Sequence, residues 1–189
     1  YMFSDCEQLK EITWAPGITT IGNYAFRNCT SLTQIDIPET VTSIGQYAFA
    51  GTALTDIAIP DSVVTLGTYA FNGCSELSSV KLSVNIETIG NYTFRNCVAL
   101  EEVDFGSNSR VASLGQDALH GCTALGSISL PANLKTIGNY VFGGCTALTE
   151  VELLPSVVSI GNYAFNGCSS LELFNIYGAL TSIGTGAFN

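Results

Sequence analysis

Seven cysteines, one histidine and sixteen carboxylates are the groups of this 189-residue chain with the most chemistry to offer. The thiols stand at Cys6, Cys29, Cys74, Cys97, Cys122, Cys145 and Cys168, and could in principle bridge as disulfides or gather a soft metal. Their intervals are 23, 45, 23, 25, 23 and 23 residues, which is a period. One thiol per period sets them all on one side of a stacked structure, with neighbouring Cβ atoms near ~4.8 Å where a bridge prefers about 3.8 Å. A metal needs ligands that converge from several directions, and the lone His120 falls on an exposed loop position. Buried free thiols acting as small apolar fillers are the expected state, with bridging and metal binding as the alternatives. Among the carboxylates, Glu102 and Asp104 could form the acid–base pair of a solenoid glycosidase or lyase. Against that, the sequence offers no long cleft-forming loop, and the repeat leaves Lys, Arg and His out of their vicinity.

Charge and hydropathy narrow the classes further. Six Lys and Arg against sixteen Asp and Glu give a net charge of −10, which repels phosphate backbones and anionic membranes. Nucleic acid is excluded as an expected partner. The chain is 47% apolar, enough to fold, yet no stretch approaches the roughly 20 apolar residues of a membrane span. The first residues lack the basic, apolar and small-residue regions of a secretion signal.

The elements that position these groups follow from the repeat. Phe3, Phe26, Phe49, Phe71, Phe94, Leu119, Phe142, Phe165 and Phe188 hold one register, three residues before each cysteine where one is present. Five residues before each member from Phe26 onward stands an aliphatic residue followed by glycine, from Ile21-Gly22 to Ile183-Gly184, giving eight copies. A fixed period of this length signals stacked repeats. Between Phe49 and Phe71 the period is 22 and the cysteine is missing, because Gly51-Thr52-Ala53-Leu54 is a residue short. Between Phe94 and Leu119 it is 25, the extra residues lying in the polar stretch 106–110, which the stack should push out to its rim.

Within one copy, Ile35 and Ile37 alternate with polar residues over Leu32–Ile37, the mark of a strand buried on one side. Pro38, Pro60 and Pro131 lack a backbone donor and should end it. Val41–Ile44 reads as a second short strand closed by Gly45 in a positive-φ conformation. Tyr24, Ala25, Phe26, Cys29 and Leu32 suit one short helical or 3₁₀ turn. Each copy is thus one coil burying about seven apolar side chains at roughly 1.5–3 kcal/mol each. Ordering 23 backbones costs about 1–2 kcal/mol per residue, so a coil is stable only when stacked on its neighbours. Eight coils at ~4.8 Å give a rod or arc roughly 40 Å long.

The pattern L-x-x-I-x-I-P followed by V-x-x-I-G-x-Y-A-F-x-x-C, as in Leu32 to Pro38 and Val157 to Cys168, resembles the BspA-like leucine-rich repeat of bacterial and protozoan surface antigens. The resemblance covers essentially the whole chain. It implies a right-handed leucine-rich-repeat solenoid over 1–189, with a parallel concave sheet, a second stack of short strands, and no catalytic or cofactor residues. It also implies an extracellular, cell-surface location and attachment to host or neighbouring proteins. Both termini fall inside a repeat, which reads as a segment of a longer array.

Function is expected on the positions that the frame leaves free. On the concave face these form two columns, Glu11, Gln34, Asp56, Ser79, Glu102, Ser127, Glu150, Leu173 and Thr13, Asp36, Ala58, Lys81, Asp104, Ser129, Glu152, Asn175. Glu11, Asp36, Asp56, Glu102, Asp104, Glu150 and Glu152 are the candidate partner-binding residues, suited to a host or matrix protein with a basic surface and, more weakly, to Ca²⁺. The proposed groove centres on Glu102, Asp104, Glu150 and Glu152; a simply solvated polar face, or a passive spacer, are the rival readings. The tyrosine column, Tyr1, Tyr24, Tyr47, Tyr69, Tyr92, Tyr140 and Tyr163, either shields the convex turn or binds sugar or protein. Asn23, Asn91, Asn139 and Asn162 precede it and suit backbone capping. No cofactor is expected.

Overall fold

The computed structural model describes residues 2–189; Tyr1, first in the tyrosine column, lies outside them. Every strand pairing is parallel, with registers that advance by one coil. The first column contains Asp56–Ala58, Ser79–Lys81 and Glu102–Asp104 as one sheet, and Glu150–Leu153 with Leu173–Ile176 as another, which an isolated bridge from Ser127 to Glu150 extends. The second column holds eight two-residue strands, from Thr20–Ile21 to Ser182–Ile183, in one sheet of three and one of five. That column parts between Thr65–Leu66 and Thr88–Ile89. One apolar core runs from Ile21 to Ala187 between the columns and the turns.

Three local expectations are corrected. Leu32–Ile37 is not a strand: the Trp14 indole N–H of the preceding coil donates to the Asp36 carbonyl at 2.6 Å, and of the strand-like bonds to the next coil only Thr55 N to Thr33 O at 3.1 Å forms. A side chain has taken the place of the ladder. Nor is there a helical or 3₁₀ segment among the described residues. The stretch after each glycine is a chain of tight turns, because Tyr24 and Asn28 both take left-handed conformations, φ 58° and 57°. Such a conformation costs about 1–2 kcal/mol for a side-chain-bearing residue and stops a helix from propagating. In return, the N–H groups of Tyr24, Phe26 and Asn28 all point along the stack, donating at 2.8 Å to the carbonyls of Gln46, Ala48 and Ala50 in the next coil. The intervening N–H groups of Ala25, Arg27 and Cys29 close turns within their own coil. This turn ladder continues to the last coil, where Phe165 N donates to Ala187 O at 2.7 Å.

Gly45 and its equivalents do not take positive φ. At Gly45, Gly67, Gly115, Gly138, Gly161 and Gly184 the preceding coil presses on the backbone: a Cβ on Gly67 would lie 2.4 Å from the Gly45 carbonyl carbon, and one on Gly161 would lie 2.5 Å from that of Gly138. Atoms do not approach so closely, so a side chain there would force the coils apart. In the short coil, Thr52 takes the cysteine position and is buried, its hydroxyl donating to Phe49 O at 2.9 Å, so the missing residue lies after it.

Candidate functional surface

The cysteine column is a stack of free thiols, buried from Cys29 to Cys145 and exposed only at Cys6. Besides filling space, these thiols tie coils together. Cys29, Cys97 and Cys145 donate from Sγ to the carbonyls of Phe3, Phe71 and Leu119 in the preceding coil at 3.1, 3.2 and 3.3 Å. Burial pushes the thiols of Cys29, Cys97 and Cys145 up, that of Cys122 to about 12 and that of Cys168 to about 11. A thiol held protonated is neither a nucleophile nor a metal ligand at neutral pH.

The tyrosine rings form two stacks. Tyr24, Tyr47, Tyr69 and Tyr92 lie 5.0, 4.4 and 4.4 Å apart and nearly parallel, and Tyr140 stacks on Tyr163 at 5.0 Å. Partial burial and the neighbouring Tyr69 raise the Tyr47 phenol above its usual range. The guanidiniums of Arg27 and Arg95 lie 6.0 and 5.8 Å from the rings of Tyr24 and Tyr92. Sugar stacking needs a free ring face, and within each stack the faces cover one another, which serves the shielding role. Asn23, Asn91, Asn139 and Asn162 cap as expected, each accepting from a backbone N–H of the following coil at 2.8–2.9 Å.

The first-column face presents Glu11, Asp36, Asp56, Glu102, Asp104, Glu150 and Glu152 to solvent, all seven exposed. No ion pair engages any of them among the described residues. Two of the carboxylates accept local bonds, Asp56 from Thr55 Oγ1 at 2.9 Å and Asp104 from Gly106 N at 2.8 Å. The face is divided into shallow depressions. Asp36 and Asp56 share one with Glu39, Asp61 and Lys81; Glu102 and Asp104 share a second with Asp56 and Lys81. Glu150 and Glu152 line a third with Ser127, Ser129, Leu173 and Asn175. The four carboxylates expected at the centre of one groove therefore form two pairs, with the coil of Ser127 and Ser129 between them. Contrary to the sequence reading, a cation does stand beside the candidate catalytic pair, since Lys81 is in register with Asp104. No group of three or more Asp, Glu, His or Cys able to hold a metal ion occurs among the described residues.

One cluster escaped sequence reasoning. Asp117 occupies a tyrosine position with its φ of 53°, is buried, and lies 4.0 Å from Arg95 Nε and 3.5 Å from His120 Nδ1. His120 is half-buried and not on an open loop, resting against the next coil at Gly143, where a Cβ would come within 2.6 Å of Nδ1. Arg95, His120 and Gly143 at the same turn position of successive coils, with a carboxylate at the tyrosine position between the first two, are the available signal.

Comparison with known proteins matches this frame. A family model, "BspA type Leucine rich repeat region", matches residues 1–113 and 107–189 in six copies. A leucine-rich repeat protein from Eubacterium ventriosum is 30% identical with a TM-score of 0.74, over 84% of this chain and 44% of its own. A leucine rich cell surface protein from Faecalibacterium prausnitzii is 26% identical with a TM-score of 0.50, over 94% of this chain and 62% of its own. The chain thus spans less than two thirds of either protein. The pneumococcal vaccine antigen PcpA shares the fold at 22% identity and a TM-score of 0.54, over 94% of this chain and 55% of its own. Among curated proteins none matches. With its repeat, its two strand columns and this match over the whole length, the chain belongs to the BspA-type leucine-rich-repeat family.

Proposed function

We propose that the chain is a non-catalytic, cell-surface interaction module that binds a basic protein surface through its first-column face. The observation supporting this is the state of the seven carboxylates: exposed, unpaired, and accompanied in their two columns by Lys81 alone. Carboxylates already satisfied by lysines would have little to offer a partner, whereas an unneutralised row steers and holds a cationic surface. The surface location draws support from the similar cell surface protein of Faecalibacterium prausnitzii. The first residue of the strand pairs contributes Glu102 and Glu150 and the third contributes Asp104 and Glu152, so each pair offers two carboxylates on one face at strand spacing.

A binding screen of the immobilised chain against extracellular matrix proteins, run at low and high salt, tests the reading. Exposed charge pairs contribute ~0.2–1 kcal/mol each, so replacing Glu102, Asp104, Glu150 and Glu152 by lysine should weaken a hit by about tenfold or more at low salt. High salt should erase most of the difference, because the screening length falls to about 3 Å at 1 M. A hit that binds the quadruple variant equally well at low salt overturns the proposal.

A further inference from the structure

We infer that the solenoid contains a hinge at the joint between the coil spanning Glu102 to Cys122 and the coil spanning Ser127 to Cys145, opening on the first-column side. Four ladders can tie adjacent coils: the first strand column, the second strand column, the turn ladder, and the paired stacks of Phe and Tyr rings. At this joint the first column lapses, for no backbone hydrogen bond links residues 125–131 to the strand Glu102–Asp104 among the described residues. The ring stacks lapse as well, since Leu119 and Asp117 stand where Phe and Tyr would be, and the phenylalanine stack resumes only at Phe142 and Phe165.

What remains is a pivot. The second column stays paired from Ser113 to Thr136 and from Leu114 to Ile137, and Asp117, Leu119 and Gly121 donate to Asn139, Val141 and Gly143 at 2.9, 3.0 and 2.8 Å. Across the joint the stacked rings give way to one edge contact, His120 to Tyr140 at 6.4 Å, while Asp117 lies 4.0 Å from Arg95 of the preceding coil and 3.5 Å from His120 of its own. Packing is looser on the opening side. Val103 and Ile128, which flank the joint, are 8% and 9% exposed, against 1% for their equivalents Val80 and Val151.

Every other joint keeps more. Between the coils of Leu66 and Ile89 the second column parts, but the first column and both ring stacks run through. Between the coils of Ile37 and Ile59 the first column has little pairing, but the second column and both ring stacks are continuous. At the hinge joint the first-column side keeps only the bonds at its two ends, Ala124 N and Thr123 Oγ1 to Val98 O at 3.1 Å and Asn133 Nδ2 to Ser109 O at 2.7 Å, so a few loop residues are left to absorb the motion, as hinges require.

Pulsed electron resonance distances test the inference. In a Cys6→Ser, Cys168→Ser background, spin labels at Lys81→Cys and Glu152→Cys span the joint, and labels at Asp36→Cys and Asp104→Cys span as many coils without crossing it. All four sites are exposed. The first pair should give a distance distribution about twofold broader than the second. Adding Asp117→Tyr with Leu119→Phe, which restores both ring stacks, should narrow the first pair and leave the second unchanged. Equal widths in the parent chain overturn the hinge whether or not the double variant folds.

Discussion

The stretch from Tyr24 to Cys97 and the single coil from Glu102 to Cys122 share one frame, yet they are held by different means. In the first, rings stack without interruption, Phe26 to Phe94 at 5.3–5.4 Å and Tyr24 to Tyr92 at 4.4–5.0 Å. In the second, an aliphatic and a carboxylate stand in the ring positions, while the thiol, the glycine and the turn ladder are kept. Backbone bonding along the turns is therefore the constant of the fold, and aromatic stacking is a layer added to it. A coil can lose the added layer and stay in the stack, because its neighbours still bury its aliphatic residues.

The largest effect should come from removing a ring inside the aromatic stretch. Phe71 is fully buried between Phe49 and Phe94, and Phe71→Ala leaves a gap that two rigid neighbours cannot fill, costing about 3–5 kcal/mol. Leu119→Ala, equally buried but outside any ring stack, should cost less, nearer ~2–3 kcal/mol, since aliphatic neighbours can close over the cavity. Chemical denaturation of both variants decides it; a greater loss from Leu119→Ala would mean that stacking continuity is not what stabilises the aromatic stretch.

A smaller contrast is expected within the glycine column. Gly67→Ala drives a Cβ into backbone at 2.4 Å and should destabilise by about 1–3 kcal/mol. Gly90→Ala meets nothing nearer than Thr93 Oγ1 at 3.5 Å, because the second column has parted there. It should be neutral or stabilise by up to ~1 kcal/mol by restricting the unfolded chain. Equal losses at the two positions would show that the parting is not a real slackening.

The repeat made the buried half of this architecture legible: the phase of Phe26, Leu32, Ile44 and Cys29 predicted which side chains the core would hold, and each is buried. What the period could not reveal was the backbone. Left-handed tyrosines are rare enough that a helical turn was the natural reading of Tyr24-Ala25-Phe26, and only the carbonyls of the next coil, a partner 22 residues away, make the alternative favourable. The glycines were assigned to the wrong cause for the same reason, since contact across coils is invisible in a single one. At the surface, alternation placed all seven carboxylates outward, but the break beside Ser127 depends on pairing between coils, which the identities of Glu102 and Asp104 do not encode.

The thiol column crosses both regions and offers the mildest test of how they differ. Cys6 should take up a thiol reagent at once in the native protein, followed by the part-buried Cys168, with the remaining five reacting only on unfolding. Raising the pH to 9 should not change that order: the unfolded thiols, near 9.0, begin to ionise, while Cys122 and Cys168 in the fold wait until about 12 and about 11. The same difference makes stability fall as pH climbs from 9 through the folded values, because only the unfolded chain can release those protons early. The hinge opens away from the turns, so Cys122 and Cys145 on either side of it should stay as protected as Cys97 within the aromatic stretch. Early labelling of Cys122 or Cys145 alone would move the pivot to the strand side and reverse the comparison.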